Sequence, residues 1–199
     1  YWRNDAATAA KVFNVDIGAV SREQRSRAKA VNFGIAYGQG AFGLSQGLGI
    51  PRAEAKQIID DYFAQFPGVR NYMDEMIGFC RTNGYVRTLM GRRRYLPDIT
   101  SANNTVRAQA ERIAINAPMQ GTAADIIKVA MVNIHRELKH RKLKSKLLLQ
   151  VHDELVFDAH VDEAEELKGL VRERMEGALD LSVPLVVDMG MGKNWLEAH

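Results

Sequence analysis

Residues 147–158 read LLLQVHDELVFD, and this stretch decides the fold of the second half of the chain. Its two apolar runs are rich in residues that favour strands. They predict antiparallel strands at Lys146–Val151 and Leu155–Ala159, with His152-Asp153-Glu154 at the turn. Two adjacent carboxylates on a rigid hairpin are a platform for Mg²⁺, which prefers oxygen ligands. A polar turn that closes a buried hairpin fits the same residues, so both interpretations stay open.

Helical spacing dominates the chain before this hairpin. A first helix is predicted from Ser21 to Tyr37, because the Ser21 hydroxyl can accept a hydrogen bond from an unpaired N–H of the first turn. Apolar residues at helical spacing predict the further helices, and alternating residues predict one more hairpin and a last strand. These helices cover 52–66, 69–82, 104–117, 123–141 and 162–178, with a break at Pro118; the strands cover 85–89, 92–96 and 184–189.

Four residues of the first predicted helix form what we call the cation–aromatic stripe: Arg25, Lys29, Phe33 and Tyr37. Each step of four residues rotates a helical position by about 40°, so the four side chains share one side of the helix. A nucleoside triphosphate has a matching layout, with anionic oxygens at one end and a flat base at the other. An ordinary amphipathic helix with its rings in a core has the same spacing, and the residues alone do not decide.

Composition limits the classes of function. Of 199 residues, 46% are hydrophobic and 26% are charged, which excludes a disordered or low-complexity chain. Cys80 is the only cysteine, so the chain can form no internal disulfide. Residues 1–146 carry 23 Lys and Arg against 12 Asp and Glu, a net charge of +11, whereas residues 147–199 carry 4 against 12, a net charge of −8. This asymmetry favours a polyanionic partner, although uneven solvated faces produce the same count.

Residues 38–43 read GQGAFG and match the G-x-G-x-x-G pattern of dinucleotide-binding folds. That fold needs a strand before the glycines, whereas here a predicted helix precedes them. We therefore favour a flexible connection between helices over a nucleotide-dependent oxidoreductase.

The predicted helix that carries the cation–aromatic stripe and the predicted hairpin around His152 resemble motifs B and C of family A DNA polymerases, the bacterial DNA polymerase I type. Further segments carry the resemblance along nearly the whole chain: NGYV at 83–86, GRR at 91–93, ER at 111–112, NAPMQGTAAD at 116–125, VPL at 183–185 and NW at 194–195. The resemblance implies an α+β fold. Residues 1–105 would form a mainly helical fingers subdomain, and residues 106–199 the C-terminal part of a palm with an antiparallel β-hairpin.

The resemblance also implies a DNA-directed DNA polymerase that transfers nucleotides from dNTPs to a primer 3′-hydroxyl by a two-metal mechanism. Lys29 and Arg25 would bind the triphosphate of the dNTP, Phe33 would pack against its sugar and base, and Tyr37 would lie beside the template base. The residues implied to contact primer–template DNA are Arg112, Asn116, Gln120 and His152. Asp153 would be a ligand of catalytic Mg²⁺, and the implied catalytic residues are Asp153, Glu154 and Lys29.

One position departs from the family pattern. The family usually has an arginine directly after the position of Arg25, where this chain has Ser26. Arg27 follows one place later, and a shift of one residue turns a helical side chain by about 100°. Arg27 therefore need not take the place of the missing arginine.

The second catalytic aspartate of the family, on its motif A strand, would lie upstream of residue 1. We therefore expect that the chain alone extends no primer, and that an exposed palm sheet edge can pair with a second copy. Two alternatives remain: a fragment that binds primer–template DNA or dNTPs without catalysis, and a family member that has lost activity. No run of about 18 apolar residues occurs, so we expect no membrane partner and a location in the bacterial cytoplasm, associated with the nucleoid.

Overall fold

The computed structural model describes residues 6–10, 13 and 15–198. The fold is α+β and mainly helical, with antiparallel hairpins, as the sequence predicts. The helices after residue 20 are α1 (Arg22–Ala36), α2 (Ala41–Leu48), α3 (Arg52–Gln65), α4 (Pro67–Asn83), α5 (Asn104–His140), α6 (Ala164–Glu176) and α7 (Trp195–Ala198). The strands are β1 (Tyr85–Arg87), β2 (Arg93–Tyr95), β3 (Lys146–Val151) and β4 (Glu154–Asp158).

The chain forms two compact units. The first comprises residues 1–87 and 93–118, and the second comprises residues 88–92 and 119–199. The division within α5 therefore falls after Pro118, whereas the sequence places the boundary between fingers and palm after residue 105. The assignment of the units to fingers and palm stays a prediction.

Helix α1 begins where the sequence predicts it. The Ser21 hydroxyl accepts a hydrogen bond from the N–H of Gln24 (3.1 Å), and the Gln24 side chain accepts one from the N–H of Ser21 (2.9 Å). This capping box satisfies two donors that the first turn otherwise leaves unpaired. Behind it, Val31 and Ile35 are buried against α2 and α3 in one apolar cluster.

The glycine run is a connection between helices only in part: residues 38–40 link α1 to α2, and the rest of the run is helical. Residues 41–48 form α2, with Gly40 as its N-cap and Gly49 ending it at φ 67°. Leu44 and Leu48 are buried in the cluster with Val31 and Ile35, and this packing stabilises a short helix despite its glycines. The element before the glycine run is helix α1, whereas a dinucleotide-binding fold requires a strand there, so the glycine run is not a dinucleotide-binding motif.

A second apolar cluster joins α4, the first hairpin and the start of α5. Pro67 occupies the first position of α4, where its missing N–H costs no helical bond. Cys80 on α4 is fully buried, and burial raises the pKa of its thiol. Val86 of β1 is buried in the same cluster. The hairpin pairs Tyr85 with Tyr95, which lie on the face opposite Val86.

Two predicted elements of the C-terminal half were wrong. The predicted break at Pro118 does not occur, because α5 runs unbroken from Asn104 to His140. Proline removes one hydrogen bond to the preceding turn, but buried residues such as Ala114 and Ala130 hold the helix on both sides. The predicted strand at 184–189 is irregular backbone: the N–H of Val187 donates to the Glu176 carboxylate (3.2 Å) and no ladder forms.

The second unit packs α6 against the C-terminal half of α5. Ile134 and Leu138 of α5 are buried with Leu167, Leu170 and Val171 of α6. Leu155 and Phe157 of β4 add to this cluster, so one face of the hairpin is covered. The hairpin is antiparallel, and its strands close on the pair Val151 and Glu154 with His152-Asp153 as the turn. This confirms the predicted hairpin, with β4 beginning one residue earlier than predicted.

Candidate nucleotide and DNA interface

The cation–aromatic stripe lies on the outside of α1 in the first unit. The Phe33 and Tyr37 side chains are 41% and 38% exposed, and their ring centroids are 5.9 Å apart with the planes inclined by 34°. The Lys29 Nζ lies 5.8 Å from the centroid of the Phe33 ring, a cation–π arrangement. Arg25 is exposed one turn earlier. The stripe thus presents charge and then two rings in the order that the sequence predicts.

Burial of the opposite face of α1 decides between the two interpretations of this helix. Ala28, Val31 and Ile35 are 0%, 0% and 1% exposed. Small and aliphatic side chains therefore fill the core, and the two rings are left at the surface, where apolar area has a cost unless a ligand covers it. An ordinary core-facing aromatic stripe is excluded.

Two of the predicted DNA contacts lie at the C-terminal end of the stripe. The Asn116 side-chain amide donates a hydrogen bond to the Tyr37 carbonyl (3.4 Å). Gly38 has φ 77°, and a Cβ there would lie 3.3 Å from Cγ of Arg112. A left-handed glycine therefore turns the chain away from α1 and lets α5 approach. Tyr37 is brought together with Arg112 and Asn116, although 75 or more residues separate it from each of them in sequence.

Sequence reasoning missed the role of Gln39. Its backbone N–H donates to the Gly34 carbonyl (2.8 Å), and its side chain lies against both Gly34 and Gly43. A Cβ on Gly34 would overlap the Gln39 amide, so the space beside Gly34 is filled by this side chain. The sequence signal for this packing is the pair of glycines at 34 and 43, which leave space for the Gln39 side chain. The match to the dinucleotide pattern drew attention to the other glycines instead.

An open cavity of about 820 Å³ lies beside this end of α1, within the first unit. Ile35, Ile59 and Phe63 contribute apolar surface, and Arg52 and Arg112 contribute positive charge.

The second unit presents the predicted acidic turn. His152 and Asp153 are exposed, and Glu154 is half-buried at the start of β4. His152 has φ 54°, a left-handed conformation that costs a non-glycine residue about 1 kcal/mol. The Gln150 side chain donates to the His152 carbonyl (2.7 Å) and fixes this turn. A tight two-residue hairpin turn requires a left-handed residue of this kind.

Gln120, the remaining predicted DNA contact, is exposed in the second unit. The residues of α5 that follow it are hydrogen-bonded to the tip of the first hairpin. The Arg92 guanidinium donates to the Asp125 carboxylate and to the Gly121 carbonyl, each at 2.9 Å. The Leu89 N–H donates to the Thr122 hydroxyl (3.1 Å). The tip of the first hairpin is thereby fixed to α5 directly after Gln120. Sequence reasoning missed this clamp, which joins residues 33 positions apart.

The hairpin carboxylates fit a divalent ion in part. Asp153 is exposed on a rigid turn, and Mg²⁺ typically takes one or two protein carboxylates and completes its shell with water and substrate phosphate. Within residues 6–10, 13 and 15–198, no group of three His, Cys, Asp or Glu side chains is arranged to hold a metal ion. Across the same residues, no helix is long and apolar enough to cross a membrane.

Comparison with known proteins identifies the family. The sequence model of DNA polymerase family A matches residues 5–197. The chain is 53% identical to DNA polymerase I of Chloroflexus aurantiacus over 193 residues, which are 96% of this chain and 20% of the relative. It is 52% identical to DNA polymerase I of Pseudomonas aeruginosa, over 97% of this chain and 21% of the relative. The chain belongs to DNA polymerase family A.

A solved structure agrees with this assignment. The POL domain of Pol1 from M. smegmatis, in complex with DNA primer-template and dNTP, matches with a TM-score of 0.93 and 48% identity. The match covers 98% of this chain and 34% of that chain. The chain therefore spans about a fifth of the length of the curated relatives it matches, and a third of that polymerase domain.

Proposed function

We propose that this chain is the part of a DNA-directed DNA polymerase that binds the incoming dNTP and primer–template DNA during templated nucleotidyl transfer to a primer 3′-hydroxyl. The observation that carries the proposal is the exposed stripe on α1, whose rings are at the surface while Val31 and Ile35 fill the core. The family and the ligands of the similar POL domain support the same assignment.

Each residue of the cation–aromatic stripe is proposed to contact a different part of the dNTP or the template base opposite it. Lys29 and Arg25 bind the triphosphate, since an ammonium and a planar guanidinium are both good phosphate donors. Phe33 packs against sugar and base, and the cation–π arrangement with Lys29 keeps both side chains on the same surface. Tyr37 lies beside the template base, where Asn116 holds its backbone carbonyl.

Four residues are proposed to contact the DNA. Arg112 and Asn116 lie four residues apart on α5, so both reach one strand of a groove from one helical face. Gln120 is exposed and can hydrogen-bond to base edges or sugars, and His152 is proposed to contact the primer terminus.

Asp153 is proposed to hold Mg²⁺, with Glu154 as the neighbouring carboxylate. When bound, the ions would activate the primer 3′-hydroxyl and stabilise the negative charge on the transferred phosphate. Asp153 presents its carboxylate from a turn fixed by Gln150 and by the closing pair of the hairpin. Lys29, the third proposed catalytic residue, acts through its charge on the triphosphate.

The first test measures dNTP binding to the chain by calorimetry. Lys29→Ala is expected to weaken binding about 10- to 100-fold, as for the loss of one hydrogen bond to a charged group. Arg172→Ala is the matched control, because Arg172 is an exposed cation of α6 outside the stripe. Equal effects of the two substitutions would show that net charge alone, rather than the stripe, binds the nucleotide.

The second test is primer extension with Mg²⁺ and four dNTPs. We expect no extension by the chain alone, because the chain spans only about a fifth of the length of the polymerases it matches. The same observation favours a second candidate function, binding of primer–template DNA or dNTPs without catalysis. Extension that Asp153→Ala abolishes would contradict both expectations and show that the chain completes a metal site by itself.

We also propose that the chain self-associates through β3 and β4, whose sheet has only two strands in the described part of the chain. Leu148 and Leu149 of β3 are 56% and 46% exposed, and free strand edges pair readily with other strands. Sedimentation should show a dimer, and a monomer at all concentrations would contradict the proposal. A cytoplasmic, nucleoid-associated location follows from the proposed DNA partner.

A further inference from the structure

The first hairpin carries an unusual set of side chains on one face. Its register pairs Tyr85 with Tyr95 and Arg87 with Arg93. Because side chains alternate along a strand, these four residues lie on the same face. Val86 lies on the other face and is 1% exposed in the core. One face of the hairpin therefore anchors it, and the other is available to a partner.

The side chains of this face stack on one another. The Arg93 guanidinium lies 4.6 Å from the centroid of the Tyr85 ring, and the Arg87 guanidinium lies 5.7 Å from that of Phe79 on α4. The Tyr85 ring contacts Phe79 edge-on (5.7 Å, 83°) and Tyr95 at a tilt (5.6 Å, 58°). We call these five residues, Phe79, Tyr85, Arg87, Arg93 and Tyr95, the arginine–aromatic face.

The arginine–aromatic face is exposed to solvent and carries positive charge. Arg87 and Arg93 are exposed, and Tyr95 is 66% exposed. None of the ion pairs within residues 6–10, 13 and 15–198 involves Arg87 or Arg93. Arg93 makes one side-chain hydrogen bond to Tyr95, and the other in-plane N–H donors of the two guanidinium groups suit phosphate oxygens. The face thus combines uncompensated positive charge with an open ring.

We propose that the arginine–aromatic face binds single-stranded nucleic acid, with a base stacked on Tyr95 and backbone phosphates bound by Arg87 and Arg93. Rings interleaved with cations are how proteins hold single strands irrespective of sequence. An acidic peptide would satisfy the arginines but would leave the Tyr95 ring uncovered, so nucleic acid is the better fit. The inference goes beyond the proposed function, because no residue of this face belongs to the stripe or to the predicted DNA contacts.

The test measures fluorescence anisotropy of a labelled oligothymidylate of about 12 nucleotides, with the chain in about 50 mM salt. Tyr95→Ala is expected to weaken binding about 5- to 100-fold through the loss of one stacked base. Arg93→Lys keeps the charge but loses the planar stack, and it should also weaken binding. Arg94→Ala is the matched control, because Arg94 is equally exposed but lies opposite Val86, away from this face.

Two outcomes would overturn the proposal. The first is that Arg94→Ala weakens binding as much as Tyr95→Ala and Arg93→Lys do, which would mean that charge alone attracts the strand. The second is that a labelled poly-glutamate peptide binds more tightly than the oligonucleotide. Thermal unfolding of each variant verifies that the exposed substitutions leave the fold intact. Tyr95→Ala separates this proposal from the previous one, because it should weaken oligothymidylate binding and leave dNTP binding, measured by calorimetry, unchanged.

Discussion

Gly121 is expected to resist replacement by alanine, even though alanine is the better helix former. It lies inside α5, where a Cβ would be 2.6 Å from Cγ2 of Thr88. Carbon atoms in contact normally lie about 3.5 to 4.0 Å apart, so helix and hairpin tip must separate by about 1 Å. Thr88 is itself buried, at 7% exposure, and its hydroxyl accepts a hydrogen bond from the Arg92 N–H (3.2 Å).

The magnitude follows from opposing terms. Alanine in place of glycine stabilises a helix interior by about 1 kcal/mol. Overpacking by one methyl group costs about 1–3 kcal/mol. Separation of the tip also weakens the bonds from Leu89 to Thr122 and from Arg92 to the Gly121 carbonyl, each contributing about 1 kcal/mol. The net expectation for Gly121→Ala is a destabilisation of about 1–3 kcal/mol.

Urea unfolding measures this change, and the chain offers two controls. Gly169→Ala, in α6 of the same unit, has no atom within 4 Å of the new Cβ and should stabilise by about 0.5–1 kcal/mol. Thr88→Ser removes Cγ2 but keeps the hydroxyl that accepts the Arg92 N–H (3.2 Å). The double variant of Gly121→Ala and Thr88→Ser should therefore recover most of the lost stability. If Gly121→Ala stabilises the chain as Gly169→Ala does, the close contact with Thr88 does not constrain this helix.

Three further results are expected. Arg92→Ala should lower the free energy of unfolding in urea by about 2–3 kcal/mol, because it leaves the Asp125 carboxylate, whose side chain is 11% exposed, without its partner. Asp125→Asn should lower it by about 1 kcal/mol, because the Arg92 side chain is 52% exposed and water can solvate it; equal losses would contradict this asymmetry. Hydrogen bonds from the Lys144 and Ser145 backbones lower the pKa of Glu163 to about 2, so its contribution to stability is present above the ordinary value of 4.5 and lost as the pH falls towards 2; Glu163→Gln should flatten this part of a pH–stability curve. His152→Gly should raise stability by up to about 1 kcal/mol, since glycine relieves the left-handed backbone, while it weakens primer–template binding measured by anisotropy.

Local signals predicted most of the fold, and the misses have physical causes. The capping box at Ser21 and the β-rich runs around His152 act within a few residues, so the sequence reveals them directly. Helix α2 was missed because its stability comes from Leu44 and Leu48 packing on other helices, which overrides the glycine content. Pro118 was overestimated as a break for the same reason, since buried residues on both sides hold the long helix.

The candidate site was predictable where it depends on one helix and hidden where it depends on contacts across the chain. The spacing of the stripe is a local property, and the structure adds that its rings are exposed. The hydrogen bond from Asn116 to the Tyr37 carbonyl spans 79 residues, and the clamp between Arg92 and Asp125 spans 33. No periodicity in the sequence encodes such pairs, because each depends on how whole elements pack.

The departure at Ser26 shows how such packing limits what a neighbouring residue can do. Arg27 donates a hydrogen bond to the Leu48 carbonyl (2.7 Å) and lies 5.4 Å from the centroid of the Phe13 ring. A guanidinium at that place satisfies a carbonyl in the last turn of α2, where a cation also interacts favourably with the helix dipole. Arg27 therefore stabilises the contact between α1 and α2, and it cannot turn outwards to the stripe without giving up that bond. That Arg27 need not replace the missing arginine stays a prediction, and Arg25 and Lys29 are the cations of this helix that we propose to bind phosphate.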